Sequence, residues 1–213
     1  MQLEDLRGWM TGEDCVVVGC GPSAAGPPSL PWNWVGNEKE WWTICCNRSV
    51  VNHPTDFALC VEPYRDAEVW AAVHAANPLI VFTHLSETAS GRKAHPRSVK
   101  IGSKDVLEWL QPSGIKNKEP LRLGQSPFYA AAVAIFLGFE NIGIIGVDWT
   151  ADRCTDDEAT RGNKAWRRLW EVAHVLGSRI SNLSPTSRLK TIPQGEWQDI
   201  RTKGQAKEVP AHG

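Results

Sequence analysis

The 213-residue chain has no apolar run approaching the ~20 residues of a membrane span, which excludes a transmembrane helix. Its opening stretch, MQLEDLRGWMTGEDC, lacks the basic segment and apolar core of a secretory signal, so a cytoplasmic location is expected. An excess of charge is also missing. The 23 Lys and Arg residues against 24 Asp and Glu leave a formal net charge of −1, so a nucleic-acid role would have to rest on a local basic patch. None of the six cysteines forms a C-x-x-C pair, and Cys45 and Cys46 are adjacent, facing opposite sides if they lie on a strand. With Cys15 and Cys60 they fall in or beside apolar runs, where they act as small hydrophobes; no metal-ligand set is expected. Internal repeats are absent. The length suits one domain with a substantial core.

Against these absences, residues 123–148 stand out. Ser126 is an N-cap type, Pro127 suits a first helical turn, and residues 128–137 are apolar almost all round, which predicts a helix buried against a sheet. Gly138 is placed to end it. Residues 142–147 then form a β-branched run typical of a strand covered on both faces, with Asp148 emerging at its carboxyl end. In open α/β sheets that edge is where ligands bind.

A matching piece lies near the start. The apolar run Cys15–Val18 reads as a buried strand, and Gly19-Cys20-Gly21-Pro22-Ser23 follows as a tight turn whose N–H groups could close on a phosphate. With Ala24 the segment nominally fits G-x-G-x-x-G/A. Pro22 inside the turn, and Cys46-Asn47-Arg48 where a ribose-binding acid would follow strand two, argue against NAD. The alternative is that Gly19 and Gly21 only make a turn.

Along the rest of the chain, strands are expected at Trp42–Cys46, 56–61, 79–83 and 179–183. Helices are expected at Ala67–Ala76, 105–110 and 164–177. Residues 24–40 read as an ordered Pro/Gly/Trp-rich loop, 85–98 as a mobile excursion, and 194–213 as a polar tail after a domain spanning 1–193.

Four separated pieces carry a resemblance: the Gly19–Ser23 turn, Cys46-Asn47-Arg48, the helix-strand unit 126–148, and Ser184-Pro185-Thr186-Ser187-Arg188-Leu189. In order and rough spacing, over residues 12–193, the chain resembles the Rossmann-like group that unites bacterial CMP-sialic-acid sialyltransferases, motility-associated flagellin glycosyltransferases and archaeal 6-hydroxymethylpterin pyrophosphokinases. The resemblance implies a single α/β domain with a mostly parallel sheet and helices on both faces. It further implies that Gly19, Gly21, Pro22, Ser23, Asn47 and Ser126 hold the nucleotide part of a donor, a CMP- or other NDP-sugar. Glu62 stands where the sialyltransferases place a substrate-binding asparagine. Two departures matter: Pro127 replaces a glycine, and residues 149–163 hold no His or Tyr where those enzymes carry a histidine base and phosphate-contacting tyrosines.

The sialyltransferase mechanism therefore does not carry over, and the candidates for activating an acceptor hydroxyl are Asp148 and His84. The acidic residues Asp152, Asp156, Asp157 and Glu158 could hold Mg²⁺ on a diphosphate or simply start a helix, and Arg161, Lys164, Arg167 and Arg168 could neutralise a leaving phosphate. Trp32, Trp34, Trp41 and Trp42, among eleven tryptophans, either offer a stacking surface or anchor a loop. The expectation is a glycosyltransferase acting on a sugar, small-molecule or nucleic-acid acceptor. The alternatives are a Mg-ATP-dependent pyrophosphokinase and a non-catalytic nucleotide-binding protein.

Overall fold

Short apolar runs become strands in this chain because helices cover both faces of one sheet. The computed structural model describes residues 1–24, 41–60, 67–83, 95–102, 105–112, 119–149, 154–196 and 199–200. Within them the strands are β1 (Cys15–Val18), β2 (Trp42–Cys46), β3 (Phe57–Leu59), β4 (Ile80–Thr83), β5 (Ser98–Lys100), β6 (Asn141–Ile145) and β7 (Arg179–Asn182). Every pairing is parallel, in the order β5-β4-β3-β2-β1-β6-β7. The chain is thus an α/β domain of Rossmann-like build. Strand β1 sits between β2 and β6, in register Val18 to Cys45 and Val18 to Ile145, so the sheet order reverses at its carboxyl end.

Alternate strand residues feed two cores. Cys15, Val17, Ile44, Phe57 and Ile142 pack against α3 (Val106–Leu110), α4 (Ser126–Leu137) and α5 (Asp156–Val175). Val16, Val18, Cys45, Ala58 and Ile145 pack against α1 (Ser49–Asn52) and α2 (Ala67–Ala76). Helix α4 buries ten of its twelve residues, as an all-round apolar helix must, and Gly138 ends it at φ +88°. Cys15, Cys45, Cys46 and Cys60 are buried free thiols. Burial is the first cause that pushes the thiols of Cys15 and Cys46 well up and Cys60 up to about 12.

Several boundaries differ from the sequence reading, each for a physical reason. Strand β6 stops at Ile145 instead of 147 because Gly146, at φ +76°, turns the backbone. Helix α5 starts at Asp156, two turns before 164, because Thr155 and Glu158 form a full capping box. The stretch read as an excursion up to residue 98 runs into edge strand β5, paired with β4, while residues 84–94 lie outside the described ones. Beyond Pro193 the chain still touches the sheet: Gln194 bridges Asn182, and Ile200 is buried beside Leu183. Among the described residues no helix is long and apolar enough to cross a membrane.

Candidate functional site

At the reversal point the loops after β1 and β6 interlock. The Gly19 N–H donates to Ile145 O at 2.8 Å and the Gly21 N–H to Gly146 O at 2.9 Å. A Cβ on Gly19 would lie 2.4 Å from Gly146 O, and one on Gly146 would lie 2.7 Å from the backbone of Gly19. These glycines are needed for close approach between two backbones, and the N–H groups of Gly19 and Gly21 are spent on that approach.

The interlock walls a cleft of about 290 Å³. Cys20, Gly21 and Pro22 come from the β1 loop, Cys46 and Asn47 from the end of β2, Gln125, Ser126 and Pro127 from the start of α4, and 146–149 from the β6 loop. Asp148 is 4% exposed. Its Oδ2 accepts the Ser23 N–H at 2.7 Å, while its buried Oδ1 has no partner among the described residues. A buried carboxylate oxygen without a donor costs on the order of 1–3 kcal/mol or more, so a ligand that supplies an O–H or N–H there gains the difference. The cleft holds no basic side chain among its lining residues.

The carboxyl-terminal segment fixes Asp148 from behind. Ser23 Oγ and Ser184 Oγ share a hydrogen bond of 2.6 Å, and the Gly146 N–H donates to Ser23 Oγ at 3.0 Å. The Arg188 N–H donates to Asp148 O at 3.0 Å, and the Ser187 hydroxyl donates to Val147 O. Ser23 therefore faces inward, with its hydroxyl and its N–H both bonded within the chain. On the opposite wall Asn47 Nδ2 donates to Ser126 Oγ at 2.8 Å, which joins the ends of β2 and α4. Besides Gly146, two cleft residues hold left-handed backbone, Asn47 at φ +47° and Trp149 at φ +49°. Asparagine tolerates this conformation; tryptophan does not, and strain of this kind concentrates at binding sites.

Across Gln125 and Trp149 the cleft adjoins a second cavity of about 570 Å³. Arg122, Tyr129, Cys154, Glu158 and Arg161 also line it. Burial pushes the Tyr129 hydroxyl up, and burial likewise raises Cys154. The Glu158 carboxylate is held below the usual range because it accepts from the Thr155 backbone N–H at 2.8 Å and from the Thr155 hydroxyl.

No protein-family model and no curated protein sequence matches the chain. Solved structures do match. The fold is similar to that of two glycosyltransferases. A mutant of the α-2,3/8-sialyltransferase CstII is 13% identical, with a TM-score of 0.53 over 93% of this chain and 97% of that one. CstII from Campylobacter jejuni, in complex with the substrate analogue CMP-3FNeuAc, is 13% identical at a TM-score of 0.55, covering 93% and 95%. The MAf glycosyltransferase from Magnetospirillum magneticum AMB-1 is 15% identical at 0.56, and the match covers 94% of this chain but 38% of MAf.

Of the residues singled out from sequence, Gly21, Pro22, Asn47, Ser126 and Asp148 meet in the cleft, with Gly19 and Ser23 directly behind them. Glu62, His84, Trp32, Trp34 and Asp152 lie outside the described residues. Trp42 is buried with its indole N–H on Glu13, and Trp41 donates to Ile200 O, so these two rings anchor the chain. None of His53, His74, His95 and His174 lines the cleft or the adjoining cavity. The acidic run begins α5: Glu158 closes its cap and Asp156 pairs with Arg188. Among the described residues no group of three or more His, Cys, Asp or Glu gathers at one point. Sequence reasoning missed Gln125, Trp149, Arg122 and Tyr129 as lining residues. The one local signal is position: Gln125 directly precedes the Ser126 helix start, and Trp149 directly follows Asp148.

Proposed function

We propose that this chain is a glycosyltransferase that takes a nucleotide-activated sugar, with a CMP-sugar as the first donor to test, and passes the sugar to a hydroxyl acceptor. The observation that supports the reading is the buried Oδ1 of Asp148, without a partner among the described residues, in a cleft at the reversal point of a parallel sheet, where ligands of this architecture bind. The similarity of fold to CstII, solved with CMP-3FNeuAc, adds support.

In this mechanism Gly21, Pro22, Asn47 and Ser126 form the walls that hold the donor, and Ser23 with Ser184 keeps Asp148 in place. Asp148 Oδ1 takes the proton of the acceptor hydroxyl as that oxygen forms a bond to the sugar's anomeric carbon. The bond from that carbon to the donor's phosphate oxygen breaks, and its electron pair leaves on the nucleotide. General-base help of this kind is worth about 10²–10⁴ in rate.

The test is a thermal-shift panel of CMP, CDP, UDP, GDP and ATP, each with and without Mg²⁺, followed by transfer assays with the sugar conjugate of whichever nucleotide binds. Occupancy at a hundredfold excess over Kd stabilises the fold by about 2.7 kcal/mol. A shift with a nucleoside mono- or diphosphate, and release of that nucleotide from its sugar conjugate in the presence of acceptor, is the expected result. A shift only with ATP and Mg²⁺ would replace this reading by pyrophosphoryl transfer. Binding with no turnover on any acceptor would leave a nucleotide-binding protein.

A further inference from the structure

The cavity beside the cleft has a chemistry that the donor does not use. Helix α4 opens onto the cleft with no side-chain cap, and the N–H groups of Gln125 and Ser126 form no backbone hydrogen bond among the described residues. A nucleotide phosphate in the cleft thus has donors there already. The cavity, about 570 Å³, carries two guanidinium groups, Arg122 and Arg161, neither of which forms an ion pair among the described residues. Its acidic residue, Glu158, is turned to Thr155 in the capping box. The cavity wall therefore holds an excess of positive charge, whereas the cleft's one charged side chain is the buried Asp148. Gln125 lines both spaces, and its buried Oε1 has no partner among the described residues. Such an oxygen calls for an O–H or N–H from a ligand.

Resting on the reading above, we propose that this cavity is the acceptor subsite and that the acceptor is an anionic sugar, its carboxylate or phosphate held by Arg122 and Arg161 and one hydroxyl by Gln125 Oε1. A second hydroxyl then meets Asp148 Oδ1 across the shared boundary of Gln125 and Trp149. It gives its proton to that carboxylate, its oxygen bonds the donor's anomeric carbon, and the nucleotide phosphate leaves with the electron pair. Guanidinium forks match carboxylate and phosphate oxygens alike and stay charged at any working pH. The donor brings negative charge of its own, so an anionic acceptor placed beside it needs cations to offset the repulsion. The cavity's size falls within the roughly 300–1,000 Å³ of small-ligand sites.

The experiment measures Kd by ligand-observed NMR for glucose, glucuronate and glucose 6-phosphate, with and without saturating CMP, on the wild-type chain, Arg122→Ala, Arg161→Ala, the double variant and the control Arg167→Ala. Arg122 and Arg161 are exposed, so neither change empties the core, and Arg167 pairs with Glu171 and lines neither space. Wild type is expected to favour both or one of the anionic sugars over glucose, and the favoured one names the acceptor's charged group. Each single change is expected to weaken that sugar about tenfold, as loss of one charge-assisted contact does. The double variant is expected to show no preference, and Arg167→Ala to match wild type. Calorimetry with CMP and with CMP-3FNeuAc is expected to give wild-type affinities for every variant. A wild type that binds neither anionic sugar better than glucose would overturn the proposal. So would competition between CMP and the anionic sugar, or weakened binding of CMP or CMP-3FNeuAc in the double variant, since either result gives the arginines to the donor. If no nucleotide binds while the sugar preference and its loss are seen, the donor reading falls and the anionic-sugar subsite stands.

Discussion

Helices α4 and α5 both begin at the carboxyl edge of the sheet, and they begin in opposite ways. Helix α5 opens with Thr155 and Glu158 bonded to each other's backbone N–H groups, so its exposed start is satisfied by its own side chains. Helix α4 opens with no side-chain cap, with Pro127 in its first turn, and with Ser126 Oγ taken by Asn47 from another strand. One start is finished locally; the other is completed by the cleft around it. The helices differ likewise in their bodies, since α4 is buried on every side while α5 keeps a polar outer face, and they meet through Phe128 and Trp166, whose rings are 5.4 Å apart edge to face. On the proposed reading, a helix start left open within a cavity serves ligand before stability.

Replacing Asp148 by Asn should separate the two kinds of region most clearly. Turnover should fall by about 10²–10⁴, because the amide cannot take the proton. The melting temperature should hold or rise, since a buried and half-partnered charge has been removed. Unchanged turnover in a steady-state assay would sink the role assigned to Asp148.

The joint between the helices gives the next largest effect, on stability. Phe128→Ala should cost about 3–5 kcal/mol by chemical denaturation, as deleting a fully buried ring does. Trp166→Phe should cost far less than Trp166→Ala, because the buried indole N–H of Trp166 has no partner among the described residues and its removal relieves an unmet donor. Equal costs for the two Trp166 variants would show that the ring's size and the N–H count differently from this account.

At the start of α5, Thr155→Ala should cost about 1 kcal/mol, read as a drop of roughly 2–4 °C in melting temperature for a chain of this size. The smallest effect is its pH dependence. The Glu158 carboxyl lies below its ordinary value through its bonds to Thr155, so its contribution is whole above the unfolded value and is lost as pH falls through the folded one. The gap in melting temperature between wild type and Thr155→Ala should therefore narrow in acid below the normal glutamate range. A gap that widens there would reverse the sign of the argument.

Much of the fold was legible because periodicity and burial are local. The β-branched runs of β1 and β6, the all-round apolar α4 and the turn residues at Gly19 and Gly138 each announce themselves over a few residues. The start of α5 is legible too, since T-x-x-E at 155–158 is a capping box in plain sequence, whereas the apolar face by itself points only to the part from 164 onward. Strand β5 was hidden because three residues of mixed burial form an edge strand only when β4 is there to pair with them. In the site, Gly21, Ser126 and Asp148 could be named from their places at strand and helix ends, and Asn47 from the family resemblance. The reason for the glycines could not be read, because the 2.4 Å approach of Gly19 to Gly146 joins residues far apart in the chain.

What the sequence determined by itself is most of the elements, the short α1 and edge strand β5 excepted, and the edge at which a site was expected, since side-chain period and turn chemistry act between near neighbours. The tertiary structure alone decided that the Ser23 N–H faces Asp148, that Asn47 binds Ser126, and that Arg122 and Arg161 share a cavity. Those contacts span up to 125 residues of chain. Only packing of the whole sheet fixes distances over such separations, and hydrogen bonds and charge pairs depend on those distances to within an ångström.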